Sequence, residues 1–425
     1  MASGSGEAGD SRFAALGVDA FRLIWAGTLL YFLAIFSQMI ARGWLARELT
    51  GTNAGLGAVN LAFGVASLVS TPLGGVLADR FDKRRILVVA TAALAASAAL
   101  MAAAVIADIV AFWMLLVASA IEAVVFSALV PARMALAAAS VGPALLHNAV
   151  VLSQVSMNAN RIVGPALAGA MLAVSWLGVS GVYVVGVVAC VVATVVFAKL
   201  PRDIGRVRPA VSAGATARPR TRPIAAMVDG VRYAHSQPLL GRLLLVSLIV
   251  TMFGFSYVTF LPTVADEFFD SGSGGYAALS VVSAVGGLAA SVAIAGKLGA
   301  TRGWAVQGVS GMGFALGVIS LGLARTFATA LVVSLFLGAA VAGFQSMNAT
   351  IVLTHAESSY HGRMQSLLQL GFSAFGIASL PLGALADAVG LRAVFVAMGA
   401  ICGVTVLAAQ RSPALRPAPA ANPTP

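Results

Sequence analysis

Twelve long apolar runs dominate the sequence, and a chain made of them has little choice of solvent. They cover residues 21–42, 54–78, 86–107, 109–131, 146–171, 174–198, 239–262, 274–297, 303–323, 327–350, 361–386 and 391–410. Each is near or above the roughly 20 residues a helix needs to cross the hydrocarbon of a bilayer. Within hydrocarbon every backbone N–H and C=O must find its partner inside the protein, which leaves helices or closed barrels. Runs this long and continuous exclude a barrel, whose strands alternate over about ten residues. The expected fold class is an all-α integral membrane protein. Its twelve transmembrane helices would form two six-helix halves around a central cavity. Composition agrees: 10% of residues are charged, against about 25% in soluble domains.

Basic residues set the expected orientation. With the N-terminus in the cytoplasm, 21 of the 26 Lys and Arg fall on the cytoplasmic side. Among them is Arg133, at the end of span 4. Arg42, Arg47, Arg325 and Arg392 fall outside, and Arg161 lies within a span. Both termini are therefore expected in the cytoplasm of a multi-pass plasma-membrane protein. The longest gap, 199–238, is basic and Pro-rich, and its last part, AAMVDGVRYAHSQPLL, reads as a short interfacial helix. The expected organisation is a cytoplasmic tail (1–20), a six-helix half (21–198), the linker (199–238), a second half (239–410) and a disordered cytoplasmic tail (411–425). The net charge of +11 is spread over short gaps between spans, which argues against nucleic acid as a partner.

The gap after span 2 is the most informative stretch. GGVLADRFDKRR, residues 74–85, places Asp79, Arg80, Asp82, Lys83, Arg84 and Arg85 directly after the small residues Gly74, Gly75 and Ala78. Positive-inside anchoring accounts for the arginines but not for Asp79. This stretch resembles the loop between helices 2 and 3 of the major facilitator superfamily, with Asp79–Arg80 and Arg84–Arg85 as its charged pairs. The resemblance implies a cytoplasmic gate made by Gly75, Asp79, Arg80, Arg84 and Arg85. It covers nearly the whole chain, including a weaker charged stretch at Lys297 and Arg302. In span 5, Gly164, Pro165 and Gly169 resemble the Gly-Pro element of drug/proton antiporters, or else mark an ordinary kink at a helix contact. FRLIWAGTLL, LVPARMALAAA, LHNAVVLSQVSMNANRIVGPALAG and GRMQSLLQLGFSAFG are similar to the macrolide and siderophore (enterobactin-like) exporter branch. Asp387, in a second LPLGALAD stretch, is expected toward the outside and without a latch role.

Polar residues inside spans are costly and mark cavities or helix contacts. Helical spacing places Tyr31, Gln38 and Arg42 on one face of span 1, and Gln154, Asn158 and Arg161 on one face of span 5. Gln345 and Asn348 do the same in span 10, and Gln365, Gln369 and Phe372 in span 11. These are the substrate-cavity candidates. Glu122 is the only acidic residue well inside an apolar run. It must pair or take a proton, with Arg161 as a possible partner. The two are the proton-coupling candidates; a substrate-cation site, a structural ion pair and a placement of Glu122 nearer the interface are the other readings.

There is no phosphate-binding glycine loop ending in Lys and Ser/Thr, and no catalytic constellation, so neither ATP hydrolysis nor another enzymatic activity is expected. No cofactor and no metal site is expected either. The resemblance implies proton-coupled export of an amphipathic small organic molecule by alternating access, from a protein working as a monomer among membrane lipids. Proton-coupled import of a small metabolite, or a signalling role without transport, are the alternatives.

Overall fold

The computed structural model describes residues 13–201, 204, 223–294, 300–357 and 360–411, less 173 and 175. Both expected tails beyond these limits, half of the linker (202–203 and 205–222) and Lys297 lie outside the described residues. The chain is all helix where described. Six helices come first: α1 (Asp19–Thr50), α2 (Asn53–Arg80), α3 (Lys83–Ile106), α4 (Phe112–Ser140), α5 (Leu146–Leu172) and α6 (Gly178–Ala198). A short α7 (Pro223–Ser236) precedes α8 (Pro238–Phe268), α9 (Gly272–Ile294), α10 (Ala300–Leu323), α11 (Phe327–His355), α12 (His361–Val389) and α13 (Leu391–Arg411). Eleven helices among the described residues are long and apolar enough to cross a membrane. The run expected at 146–171 is helical as α5.

Helix ends follow local chemistry. Asp82 caps α3 by accepting from the Arg85 N–H at 3.0 Å. Thr326 and Thr329 form a reciprocal capping box at the start of α11. Gly390, at φ +90°, ends α12 and lets α13 begin at once. Two helices outrun their apolar segments the furthest, by eight and nine residues. α1 continues past 42 to Thr50 because LARELT is made largely of good helix formers. α4 continues past 131 to Ser140, with Pro131 inside it. Neighbouring helices can accommodate a proline that would end an isolated helix. As a result Arg42, expected at the very end of span 1, and Arg133, expected just beyond span 4, stand well inside helices.

The chain divides into two compact units: Met1–Leu49 with Val65–Pro223, and Thr50–Gly64 with Ile224–Pro425. The division differs from a cut in the linker alone, since the first part of α2 clusters with the second unit. In the first unit, Phe21, Tyr31, Phe32, Leu87, Leu129 and Phe197 form the centre of the core. In the second, Leu240, Leu243, Trp304, Val352 and Met364 pack together.

Lipid tails offer no hydrophobic drive between helices, so close backbone approach through small residues matters most. α9 and α11 interlock in this way. A Cβ on Gly286 would strike the Leu335 carbonyl, and a Cβ on Gly338 would strike that of Ser283. Helix α8 departs from regular geometry along much of its length. Wide π turns at Val250–Gly254 and Val264–Phe268 flank a tight 3₁₀ stretch at Phe255–Phe260. Pro262, which has no N–H to donate, lies within this broken region. Such backbone survives at membrane depth only where protein surrounds it, and Thr251, Tyr257, Phe260 and Thr263 are buried.

Candidate functional site

In the first unit the expected site residues meet in a different combination from the one read in sequence. Glu122 of α4 pairs with Arg42 of α1, not with Arg161 of α5: the Arg42 Nη2 to Glu122 Oε2 distance is 2.5 Å. Both side chains are about nine-tenths buried, at 8% and 10% exposure. The physical reason is the length of α1. Because it continues to Thr50, Arg42 lies within the helix beside α4 and not in the loop that follows it. Tyr183 of α6 is buried within electrostatic reach of both charges, and its hydroxyl has no hydrogen-bond partner.

The rest of the span-1 stripe points the same way. Tyr31 is fully buried, 6.4 Å ring to ring from Phe197 of α6, and Gln38 packs against Gly186 of α6. Tyr31, Gln38 and Arg42 thus belong to the interior of their own unit. Arg133, which sequence reading counted as an anchoring charge, is 2% exposed. Its guanidinium carbon sits 5.4 Å from the Phe32 ring centroid. Its Nε and Nη1 have no hydrogen-bond partner. The signal for this residue was present in the sequence, since it is followed by an apolar MALAAA stretch.

Arg161 is exposed, with its guanidinium carbon 6.0 Å from the Phe36 ring centroid. Gly164 and Pro165, one turn on, are buried. A Cβ on Gly164 would come within 2.6 Å of Phe36 Cβ and 3.0 Å of the Ser37 backbone nitrogen. Gly164 is therefore needed for α5 to lie against α1. Gly169 is likewise buried on α5. Asn160 strengthens the same contact by donating to the Leu29 carbonyl at 3.1 Å.

In the second unit Asn348 is buried and accepts a hydrogen bond from Gln307 of α10 at 2.9 Å. It thereby ties α11 to α10. Gln345, Thr251, Phe255, Phe314 and Phe344 line a small pocket of about 10 Å³, the room of one water. Gln365 is exposed. Gly75, Asp79, Arg80, Gln154, Asn158, Gln369 and Phe372 occupy helical positions, but their side chains and surroundings lie outside the described residues. Of the expected gate, Arg84 donates from Nη2 to the Ala198 carbonyl at the end of α6, and Arg85 is exposed.

Two features escaped the sequence reading. Asp387 of α12 holds the N-terminus of α2. Its carboxylate accepts from the Asn53 N–H at 2.8 Å, the Asn53 Nδ2 at 2.9 Å and the Ala54 N–H at 2.8 Å. A carboxylate on free helix-terminal N–H groups is a favourable charge–dipole arrangement. The second feature is the seat of α7. Asp229 pairs with Arg363, the Tyr233 and Tyr360 rings stack at 3.8 Å, and the Glu357 N–H donates to the Tyr233 hydroxyl at 3.1 Å.

Against this geometry, the sequence profile of the Major Facilitator Superfamily matches residues 24–374. No curated protein sequence matches the chain. Solved structures match over nearly its full length. A crystal structure of a mutant of the nucleoside transporter NupG superposes with a TM-score of 0.73 at 13% identity, covering 92% of this chain and 100% of that one. A POT family transporter in complex with 5-aminolevulinic acid gives 0.70 at 11% identity, over 92% and 95%. The human organic anion transporter MFSD10 (TETRAN) gives 0.64 at 15% identity, over 91% and 98%. These likenesses correct the narrower resemblance. The chain is similar to nucleoside, peptide and anion transporters, not to the drug/proton antiporter or the macrolide and siderophore exporter branch. The Gly-Pro element, the one export-favouring feature, has a packing role at Gly164 that explains it without reference to direction.

Proposed function

The chain belongs to the major facilitator superfamily, a family of transporters rather than enzymes, and from that membership we propose that it takes up a small organic metabolite together with protons by alternating access. The observation that carries this reading is the family match over 24–374 on a multi-span, all-helical membrane protein. The similar nucleoside, peptide and 5-aminolevulinic acid-bound transporters support a metabolite as the cargo. The buried Arg42–Glu122 pair supports coupling. A carboxylate held dry by one partner is a group on which a proton and an ion pair compete, and exchange between them gives two states of the unit. Both termini and the linker face the cytoplasm in this reading. Asp79 and Arg80–Arg85 act there as the cytoplasmic gate, and one six-helix half lies on each side of the linker.

The test is uptake by the purified chain in proteoliposomes with an imposed inward proton gradient, using radiolabelled nucleosides, dipeptides and 5-aminolevulinic acid as cargo. Accumulation should collapse when the gradient is dissipated. Glu122→Gln should still exchange substrate across the membrane at equal pH, yet fail to concentrate it. Gradient-driven accumulation by Glu122→Gln at the normal rate would remove Glu122 from the coupling step.

A further inference from the structure

Arg161 occupies a position that membrane energetics seldom tolerates without a reason. It is the sixteenth residue of the 27-residue α5, about 22 Å along a helix of about 40 Å at 1.5 Å per residue. Its side chain is nonetheless exposed. A guanidinium at that depth is expensive against hydrocarbon, so the face that carries it must look onto water or onto a polar ligand. The acidic residue best placed in sequence to neutralise it, Glu122, is engaged by Arg42 at 2.5 Å. Arg161 forms no ion pair with a described residue, and its one aromatic contact is Phe36 at 6.0 Å.

The surroundings add to its charge. Phe32 and Phe36, one turn apart on α1, stack with ring centroids 5.9 Å apart. Arg133 lies over the first ring and Arg161 over the second. Arg133 is buried with Nε and Nη1 unpartnered, so its charge is not cancelled locally. One aromatic ladder thus carries two guanidiniums, one sealed inside the unit and one open. Low-dielectric walls strengthen the field at the open one. The contact at Gly164 fixes α5 against α1 and leaves the Arg161–Phe36 pair little freedom to drift. A planar guanidinium beside a ring suits a carboxylate or phosphate attached to a flat organic group.

We propose that Arg161, with Phe36 beside it, is an anion-recognition site and that the substrate is a small organic anion bearing a carboxylate or phosphate. This rests on the transport reading and narrows its substrate class.

The experiment separates charge from shape. The purified full chain is titrated with benzoate and with benzamide, and with phenyl phosphate and with phenol, at millimolar concentration, following the thermal unfolding midpoint and intrinsic tryptophan fluorescence. The anions should bind and their neutral counterparts should not. Arg161→Gln should weaken anion binding by about ten- to a hundredfold, the range expected for a lost charge-assisted contact. Arg161→Lys should retain part of the affinity. Equal binding of anion and neutral partner by the unaltered chain, or no binding of either anion, overturns the proposal without any variant having to fold. So does unchanged affinity in Arg161→Gln. A response to phosphatidylglycerol nanodiscs alone, with none to the soluble anions, overturns it in favour of a lipid headgroup. Binding and uptake fail separately. Arg161-dependent anion binding without accumulation in proteoliposomes leaves the site standing and removes the transport reading. Accumulation of neutral solutes that is indifferent to Arg161→Gln does the reverse.

Discussion

Replacing Glu122 by glutamine leaves Arg42 charged and dry, and the structure sets the size of the penalty. The two side chains are 8% and 10% exposed and 2.5 Å apart, so neither can turn to water when its partner is lost. Breaking a buried pair by removing one member costs about 3–5 kcal/mol. At roughly 2–4 °C per kcal/mol for a unit of this size, that is a fall of about 6–20 °C in the unfolding midpoint. The two single variants should also differ. Arg42→Met leaves a carboxylate, which can shed its charge by taking a proton. Glu122→Gln leaves a guanidinium, which cannot. The Glu122→Gln deficit should therefore be the larger of the two. In the double variant Arg42→Met/Glu122→Leu no charge is stranded, and stability should return to within about 1 kcal/mol of the starting protein or exceed it. The assay is thermal unfolding in detergent micelles, arranged as a double-mutant cycle. If the two single effects simply add, or each is below about 1 kcal/mol, the charges do not meet in a dry interior and the argument fails.

Asp387→Ala strands the Asn53 and Ala54 donors and should cost about 2–3 kcal/mol; proteolysis or hydrogen exchange at the start of α2 should rise, whereas Asp387→Asn should be milder. Gly338→Val cannot fit against Ser283 and should abolish accumulation of folded protein, measured as the monodisperse fraction on size exclusion, while Gly313→Ala on α10 should be tolerated because its Cβ would meet only Ala340 Cβ, at 3.6 Å. Tyr233→Ala removes the stack on Tyr360 and the bond to the Glu357 N–H, so amide hydrogen exchange within α7 should be faster than in the unaltered chain. Cysteines introduced at Arg12, Ala215 and Leu415 should be labelled only from the cytoplasmic side of intact cells; labelling of any of them from outside would invert the orientation.

The helices were legible in the sequence because hydrocarbon imposes a one-dimensional rule. A segment of sufficient apolar length must satisfy its own backbone, whatever its neighbours are, and the helix limits found in the structure depart from the apolar runs by only a few residues in most cases. The exceptions are instructive. At Arg42 and Pro131 the apolar pattern stopped and the helix did not, because residues beyond those points are buried against other helices. The superfamily was legible too, from the charged loop after span 2 and the span pattern. Its narrower branch was not, since short local stretches such as the Gly-Pro element are reused wherever two helices must touch. Side-chain partners were the least legible. Spacing along α4 and α5 allowed Glu122 to meet Arg161, but the partner is decided by which helix face lies opposite, and that is a property of the packed unit. The same holds for Asp387 and Asn53, 334 positions apart, and for Arg133, whose burial depends on the aromatic rings of α1. Sequence by itself determined the solvent, the helices and the family. Tertiary packing determined which charges neutralise one another and which stay exposed, because a charge inside a membrane protein is defined by neighbours that the chain supplies from elsewhere.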